Sequence, residues 1–337
     1  MGLFGKLIYG VNVIVALLLV ISFVLPYLSP SRFPILSLLS LTVSPLILLN
    51  ILFAVYWLIR LKRRFLLSTI ILVIAYFHFN PFLEFSSEGV EGEYDHSLKV
   101  LSYNVRLFNA YEKDPSEEFL ILFSDIIEKH DPDVICIQEF FKKRTISFAN
   151  YPYRYVHYKG ENNKLGHAIF SKYPIVKKGA FDFENSFNNT LYADIVKGKD
   201  TVRVYNLHLQ SLGVLPSVDY LQEGNKERML KRLSRGFKRQ EEQTLTILNH
   251  KASSPYPVIM TGDFNNTPFS YIYRKFEEEM QDGFLQRGSG LGTTFRFDSY
   301  PMRIDYIFAD PKFEFVKFNT ISETFSDHYP VTATLAW

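Results

Sequence analysis

The chain has 337 residues, with 37 Lys and Arg against 35 Asp and Glu, a formal net charge of +2 and a single cysteine. That length is too great for one small domain, the lone Cys136 excludes an internal disulfide, and near-neutrality gives no overall electrostatic footprint for nucleic acid. The charges are unevenly spread: only six Lys or Arg fall in residues 1–95, and every acidic residue there lies at or beyond Glu84.

The first eighty residues read as membrane. Runs 7–28 and 35–59 are almost wholly apolar and long enough to cross a hydrocarbon core of about 30 Å at about 1.5 Å per residue. A third run, 65–83, is weaker because His78, Asn80 and Pro81 interrupt its end. The first run exceeds the apolar core of a cleaved signal peptide, and no small-x-small site follows it in "YLSPSR", so it reads as retained. The cluster "RLKRR" at 60–64 is assigned to the cytoplasm by the positive-inside rule. An integral membrane protein, contacting the lipid bilayer through two or three transmembrane helices, is expected. Its remaining residues lie outside the cytoplasm if all three runs span, and inside it if only two do.

Residues 84–97, "EFSSEGVEGEYDHS", are acidic and lack apolar periodicity, which suits a tether. A folded domain is expected over 98–337. There, "KVLSYNV", "DVICIQE", "HAIFS", "VRVYNLHL", "VIMTGDF", "RIDYIFA" and "YPVTATLA" are short runs rich in β-branched and aromatic residues, as strands are. Cys136, inside "DVICIQ", reads as core. Between the first two runs, Asp114 as N-cap, Pro115 in the first turn and a stop at Asp131-Pro132 predict a helix. Residues 223–250 predict another, with a basic first half containing Lys226, Arg228, Lys231, Arg232, Arg235, Lys238 and Arg239. That face is either merely solvated or meets phosphates.

Each apolar run carries unusual polar groups near its C-terminal end: Asn104, Glu139, Asn206 with His208, and Asp263 with Asn265. Asp305 and the pair Asp327-His328 follow. One such strand end is an ordinary turn residue; six are harder to assign to turns. Strand alternation places Asn206 and His208 on one face. His208 alone reads equally as a satisfied core histidine, and Glu139 alone as a solvated strand end. Together the groups offer carboxylates for a hard divalent cation, an aspartate for water, and imidazoles that move protons.

The order "SYNVR", "IQE", "NLHL", "GDFN", "RIDYIF", "SDHYPV" resembles the endonuclease/exonuclease/phosphatase superfamily over about residues 98–337. The resemblance implies a four-layer α/β sandwich (the DNase I-like fold) with its active site at one edge. It implies Glu139, Asn104 and Asp327 as groups around Mg2+ (or Mn2+), Asp263 orienting or activating water, and Asn265 holding the phosphoryl group. It further implies His208 binding phosphate or protonating the leaving group, and His328 as base or phosphate ligand buttressed by Asp305. Arg106 and Arg303 flank two motifs and are candidates for substrate phosphate, or else ordinary ion-pair residues. His167 has no assigned role. The expected function is a membrane-anchored, metal-dependent phosphoesterase cutting phosphodiesters in the manner of a nuclease. The substrate would be nucleic acid or, alternatively, a phospholipid head group, and no protein partner is called for. A catalytically inactive binding module would lack one of these positions; none is lost.

Overall fold

The computed structural model describes residues 2–79, 83–89, 94, 96–110, 118–142, 147–160, 165–213, 225–298 and 300–337. Three apolar helices open the chain: α1 (Leu3–Ser22), α2 (Val43–Ile59) and α3 (Phe65–His78). One buried asparagine ties them together. Asn12 of α1 donates to Ser68 Oγ of α3 at 2.7 Å and accepts from Trp57 Nε1 of α2 at 3.0 Å, the kind of polar link that holds helices where hydrophobicity supplies no preference. The guanidinium of Arg64 stacks on Tyr9 and Trp57 at one end of the bundle, while His78 Nε2 hydrogen-bonds Phe23 O at the other. The basic cluster therefore sits at one end, and the connector between α1 and α2 at the opposite end.

Two stretches, Leu3–Tyr27 and Pro34–Ile59, are long and apolar enough to cross a membrane. The third run is helical only over the 14 residues of Phe65–His78, about 21 Å at 1.5 Å per residue, shorter than a hydrocarbon core of about 30 Å. Residues 80–82 of that run lie outside the described residues. The described part of the expected tether is not loose: Glu84–Phe85 pair with Ser289–Gly290, and Gly89 N donates to Val316 O.

Among the described residues, twelve strands form the two main sheets: β1 (Ser97–Asn104), β2 (Val134–Phe141), β3 (Tyr153–Tyr158), β4 (Leu165–Ser171), β5 (Ile175–Asp182), β6 (Asn189–Lys197), β7 (Asp200–His208), β8 (Val258–Asp263), β9 (Gln281–Asp282), β10 (Asp305–Ala309), β11 (Glu314–Thr320) and β12 (Val331–Ala336). They form two six-stranded sheets, in the orders β11-β12-β1-β2-β4-β3 and β9-β10-β8-β7-β6-β5. Each sheet has one parallel pair, β1 with β2 and β7 with β8. A parallel pair requires a crossover, and a helix supplies each one: α4 (Glu118–His130) and α5 (Lys226–Ala252). Asp114 and Pro115, the expected helix start, lie outside the described residues. The helix ends as expected, ahead of Asp131-Pro132, because proline disfavours helical backbone before it. A shorter helix, α6 (Tyr271–Glu277), follows β8.

Strand alternation divides the apolar side chains into layers. Val100, Cys136, Ile169, Val204, Ile259 and Ile307 pack between the sheets. Phe119 and Phe123 of α4 cover one outer face, and Ile247 of α5 with Phe276 of α6 cover the other. The result is helix, sheet, sheet, helix: the four-layer α/β sandwich. Deep between the sheets lies Asn206, which donates to Ile137 O and Ala168 O, both at 2.9 Å, and accepts from Gln138 Nε2 at 2.6 Å. Asn206 is thus a brace between the sheets and not a member of the site.

The bundle is docked on this domain through its connector. Glu241 of α5 accepts from Ser29 Oγ and Ser31 N at 2.7 Å, and Thr267 Oγ1 donates to Ser40 O at 2.9 Å. Arg274 stacks 3.9 Å above Tyr27, and Phe79 meets Phe269 edge to face. Replacing the brace, Asn206→Ala, strands two carbonyls and an amide in a dry interior. It should lower stability by about 1–3 kcal/mol, read from the denaturation midpoint of detergent-solubilised protein.

Candidate active site

The parallel pairs end together. Asn104 closes β1, His208 and Asp263 face each other at the ends of β7 and β8, and Asp305 opens antiparallel β10 opposite Asp263. Alternation carries Asn104 in line with Val100, His208 in line with Val204, Asp263 in line with Ile259 and Asp305 in line with Ile307, all on the face between the sheets. The interior thus turns from apolar to polar at one end of the sandwich. Backbone closeness helps to aim Asp263: a Cβ on Gly262, whose φ is +140°, would stand 2.0 Å from Leu207 O, so only glycine fits there.

Glu139 arrives by another route. Val134, Cys136 and Gln138 face inward, so regular alternation would turn Glu139 outward. Instead the pairing of β2 with β4 shifts register between Ile137 and Phe140, and Glu139 takes a left-handed φ of 55°. This bulge swings its carboxyl into the cleft, as bulges beside active sites do. Burial pushes that carboxyl above its usual range, against the pull of His328 and a hydrogen bond from Asn104.

Asp263 is the most heavily bonded member. Its Oδ1 accepts from Asn265 N at 2.8 Å, and its Oδ2 from Asn104 Nδ2 at 3.0 Å and Asn265 Nδ2 at 3.1 Å. Asn265 also donates to Leu209 O, so both its amide hydrogens are spent on protein groups. Asn265 also lines the cleft, where the resemblance implies that it holds the phosphoryl group. Burial raises the Asp263 carboxyl, opposed by His328.

The two histidines are set to opposite charge states. His328 Nδ1 contacts Asp305 at 3.0 Å, and its Nε2 lies 3.7 Å from Asp263 Oδ2. Burial alone would lower its pKa, but the carboxylates of Asp305 and Asp263 outweigh burial and raise it to about 10, so the ring is cationic. At His208 burial, then the charge on His328, dominates and pushes the ring down to about 3. Its Nδ1 meets His167 Nε2 at 3.1 Å, and its Nε2 lies 3.4 Å from Asp263 Oδ2. Burial holds His167 neutral too. The buried His167 Nδ1 has no hydrogen-bond partner among the described residues. The two rings share one hydrogen bond between His167 Nε2 and His208 Nδ1, and the Nε2 edge of His208 faces the site. Sequence reasoning gave His167 no role; its in-line position with inward-facing Ile169 was the available signal.

The remaining expectations divide. Asp327 and Arg106 line the cleft and pair at 3.6 Å. Arg303 does not reach it: its guanidinium is buried against Asp282, among Tyr273, Phe284 and Tyr306. The ladder of β10 begins only at Asp305, so strand alternation never turns Arg303 toward the inner face. The cleft encloses about 1210 Å³ and is walled by Arg106, Glu139, His208, Asp263, Asp327 and His328 on its polar side.

A sequence profile of the Endonuclease/Exonuclease/phosphatase family matches residues 101–328. The chain belongs to this family. It is on that ground a phosphoester hydrolase. A second profile, for a domain of unknown function, matches residues 5–82. Among curated proteins none matches. Solved structures share the fold. A Bacteroides thetaiotaomicron endonuclease/exonuclease/phosphatase family protein is 21% identical with a TM-score of 0.56, covering 71% of this chain and 97% of that one. The mannosyl-6-phosphatase of the same organism is 20% identical, with a TM-score of 0.52 and coverage of 71% and 100%. The human Nocturnin catalytic domain with bound sulfate is 16% identical, with a TM-score of 0.53 and coverage of 71% and 94%.

Asp305→Asn keeps the size of the group while removing the charge that holds His328 protonated. Phosphoester turnover should fall by roughly 10²–10⁴-fold with little change in unfolding temperature, and full turnover would show that His328 does not act through Asp305.

Proposed function

We propose that this protein is a divalent-metal-dependent phosphodiesterase held to a membrane by its N-terminal helices. The observation that carries the reading is the convergence of Asn104, Glu139, His208, Asp263 and His328 at one end of the two sheets, with the pKa of His328 raised and that of His208 lowered. The site's donor set fits a hard cation: Glu139 is turned into the cleft by a strained bulge, with the Asn104 amide beside it and the Asp327 carboxylate also on the wall. Oxygen ligands of this kind suit Mg2+ or Mn2+. When bound, such an ion would polarise a phosphoryl oxygen and draw off developing charge.

The protein's own groups divide the rest of the work. Asp263, fixed by Asn104 and Asn265, orients the attacking water and accepts its hydrogen bond. Cationic His328, held by Asp305, donates toward the charge that develops on phosphorus-bound oxygens. His208, neutral and with its Nε2 edge facing the site, donates to a phosphoryl oxygen or to the leaving oxygen. Arg106, beside Asp327, adds positive charge at the rim. The names of two similar structures, a mannosyl-6-phosphatase and a domain with bound sulfate, support an oxyanion site in this fold.

Membrane anchoring is supported by the outer face of the bundle, where Leu17, Leu48, Leu52, Val55, Ile70 and Val73 are exposed. The basic cluster 60–64 lies at the end away from the domain, which under the positive-inside rule supports a domain outside the cytoplasm. The test is hydrolysis of bis(p-nitrophenyl) phosphate by full-length protein in detergent. Chelation should abolish turnover and Mg2+ or Mn2+ should restore it. Undiminished turnover in excess chelator would refute the metal requirement.

A further inference from the structure

The catalytic cleft has two unlike arms on either side of the cluster just described. One arm is apolar, and part of its wall comes from the N-terminal region: Leu38, Leu41 and Pro45, at the turn into α2, face Leu233 of α5 and Phe297 and Met302 of the domain across the same cavity that holds Asp263 and His328. The other arm, about 460 Å³, shares Glu139 and His208 with the first, but its walls carry Asn188, Gln210, Arg235 and Arg239. The cluster therefore stands at a junction between a hydrocarbon-like surface and a basic, hydrogen-bonding one.

This asymmetry discriminates among phosphodiesters. A nucleic acid strand is polar and charged on both sides of any phosphate, and its flanking phosphates would be drawn against Leu38, Leu41 and Met302, side chains that cannot pair them. A lipid phosphodiester is polar on one side and apolar on the other. The apolar arm is also continuous with the outward-facing hydrocarbon of the bundle, because Pro45 lies in the first turn of α2, whose next turns expose Leu48, Leu49 and Leu52. The contacts that fix this wall, Ser40 O to Thr267 and Ser29 and Ser31 to Glu241, are hydrogen bonds to the domain, so the wall is held in place over the site.

We propose that the membrane bundle forms part of the active site, and that the substrate is an amphiphilic phosphodiester of the bilayer. Its alkyl part lies against residues 38–45, and its polar head group lies in the groove of Arg235 and Arg239. Water adds to phosphorus, one P–O ester bond breaks, and the leaving oxygen departs as an alcohol carrying a proton. The proposal rests on the phosphodiesterase reading above, and its test separates the two.

Full-length protein in amphipol, with Mg2+, is assayed against methyl, butyl and octyl p-nitrophenyl phosphate, each below its micelle concentration. The kcat/KM should rise by roughly 30-fold or more from methyl to octyl, the gain from burying only two or three methylenes. In Leu41→Asp, or Leu38→Asp should the first variant not fold, that rise should shrink to about threefold or less, because a carboxylate then meets the chain. Hydrolysis with a flat chain-length profile in the wild type, or a steep profile that both variants keep, would overturn the amphiphile proposal and leave the phosphodiesterase reading intact. No hydrolysis of any of the three esters would overturn both.

Discussion

The period of a β-strand governs this site. Residues two apart share a face, so a strand that packs Val100 between the sheets must also send Ser102 and Asn104 there, and the same holds for Val204 with Asn206 and His208. Because both parallel pairs finish at the same end of the sandwich, the last inward positions of β1, β7 and β8 meet, and the first position of β10 joins them. One step further inside, Asn206 accepts from Gln138 and donates to two neighbouring carbonyls.

Burial then sorts the charges. Desolvation disfavours every ion in the cluster, and each escapes or yields according to its neighbours. At His328 the carboxylates of Asp305 and Asp263 outweigh burial and raise the pKa, whereas at His208 burial and the neighbouring charge on His328 lower it. Two identical side chains are thus shifted in opposite directions by position alone. The carboxylates of Glu139 and Asp263 are both pushed upward, a cost that a bound cation would relieve and that a purely structural cluster would have no reason to carry.

Much of this was legible in the chain. The strand-end positions of Asn104, His208, Asp263 and Asp305 follow from local patterns, and so does the pair of crossover helices. What was not legible depends on contacts between distant segments. The bulge that turns Glu139 inward exists only against β4, the donors of Asn265 are claimed by Leu209 and Asp263, and Arg303 is claimed by Asp282. A linear reading also separated membrane and enzyme at residue 84. The folded chain brings Leu38 and Leu41 back across that boundary to the cleft, through hydrogen bonds that no periodicity announces.

The central claim is that the polar end of the sandwich is a hydrolytic centre organised around Asp263. Its most direct test is single-turnover hydrolysis of a phosphodiester by Asp263→Asn protein at saturating Mg2+, with the unfolding temperature measured on the same sample. The account predicts a rate reduced by about 100-fold or more in a protein that unfolds within a few degrees of the wild type. A normal rate from such folded protein would contradict it, because among the described residues no other carboxylate in the cluster is held by three hydrogen bonds beside both histidines.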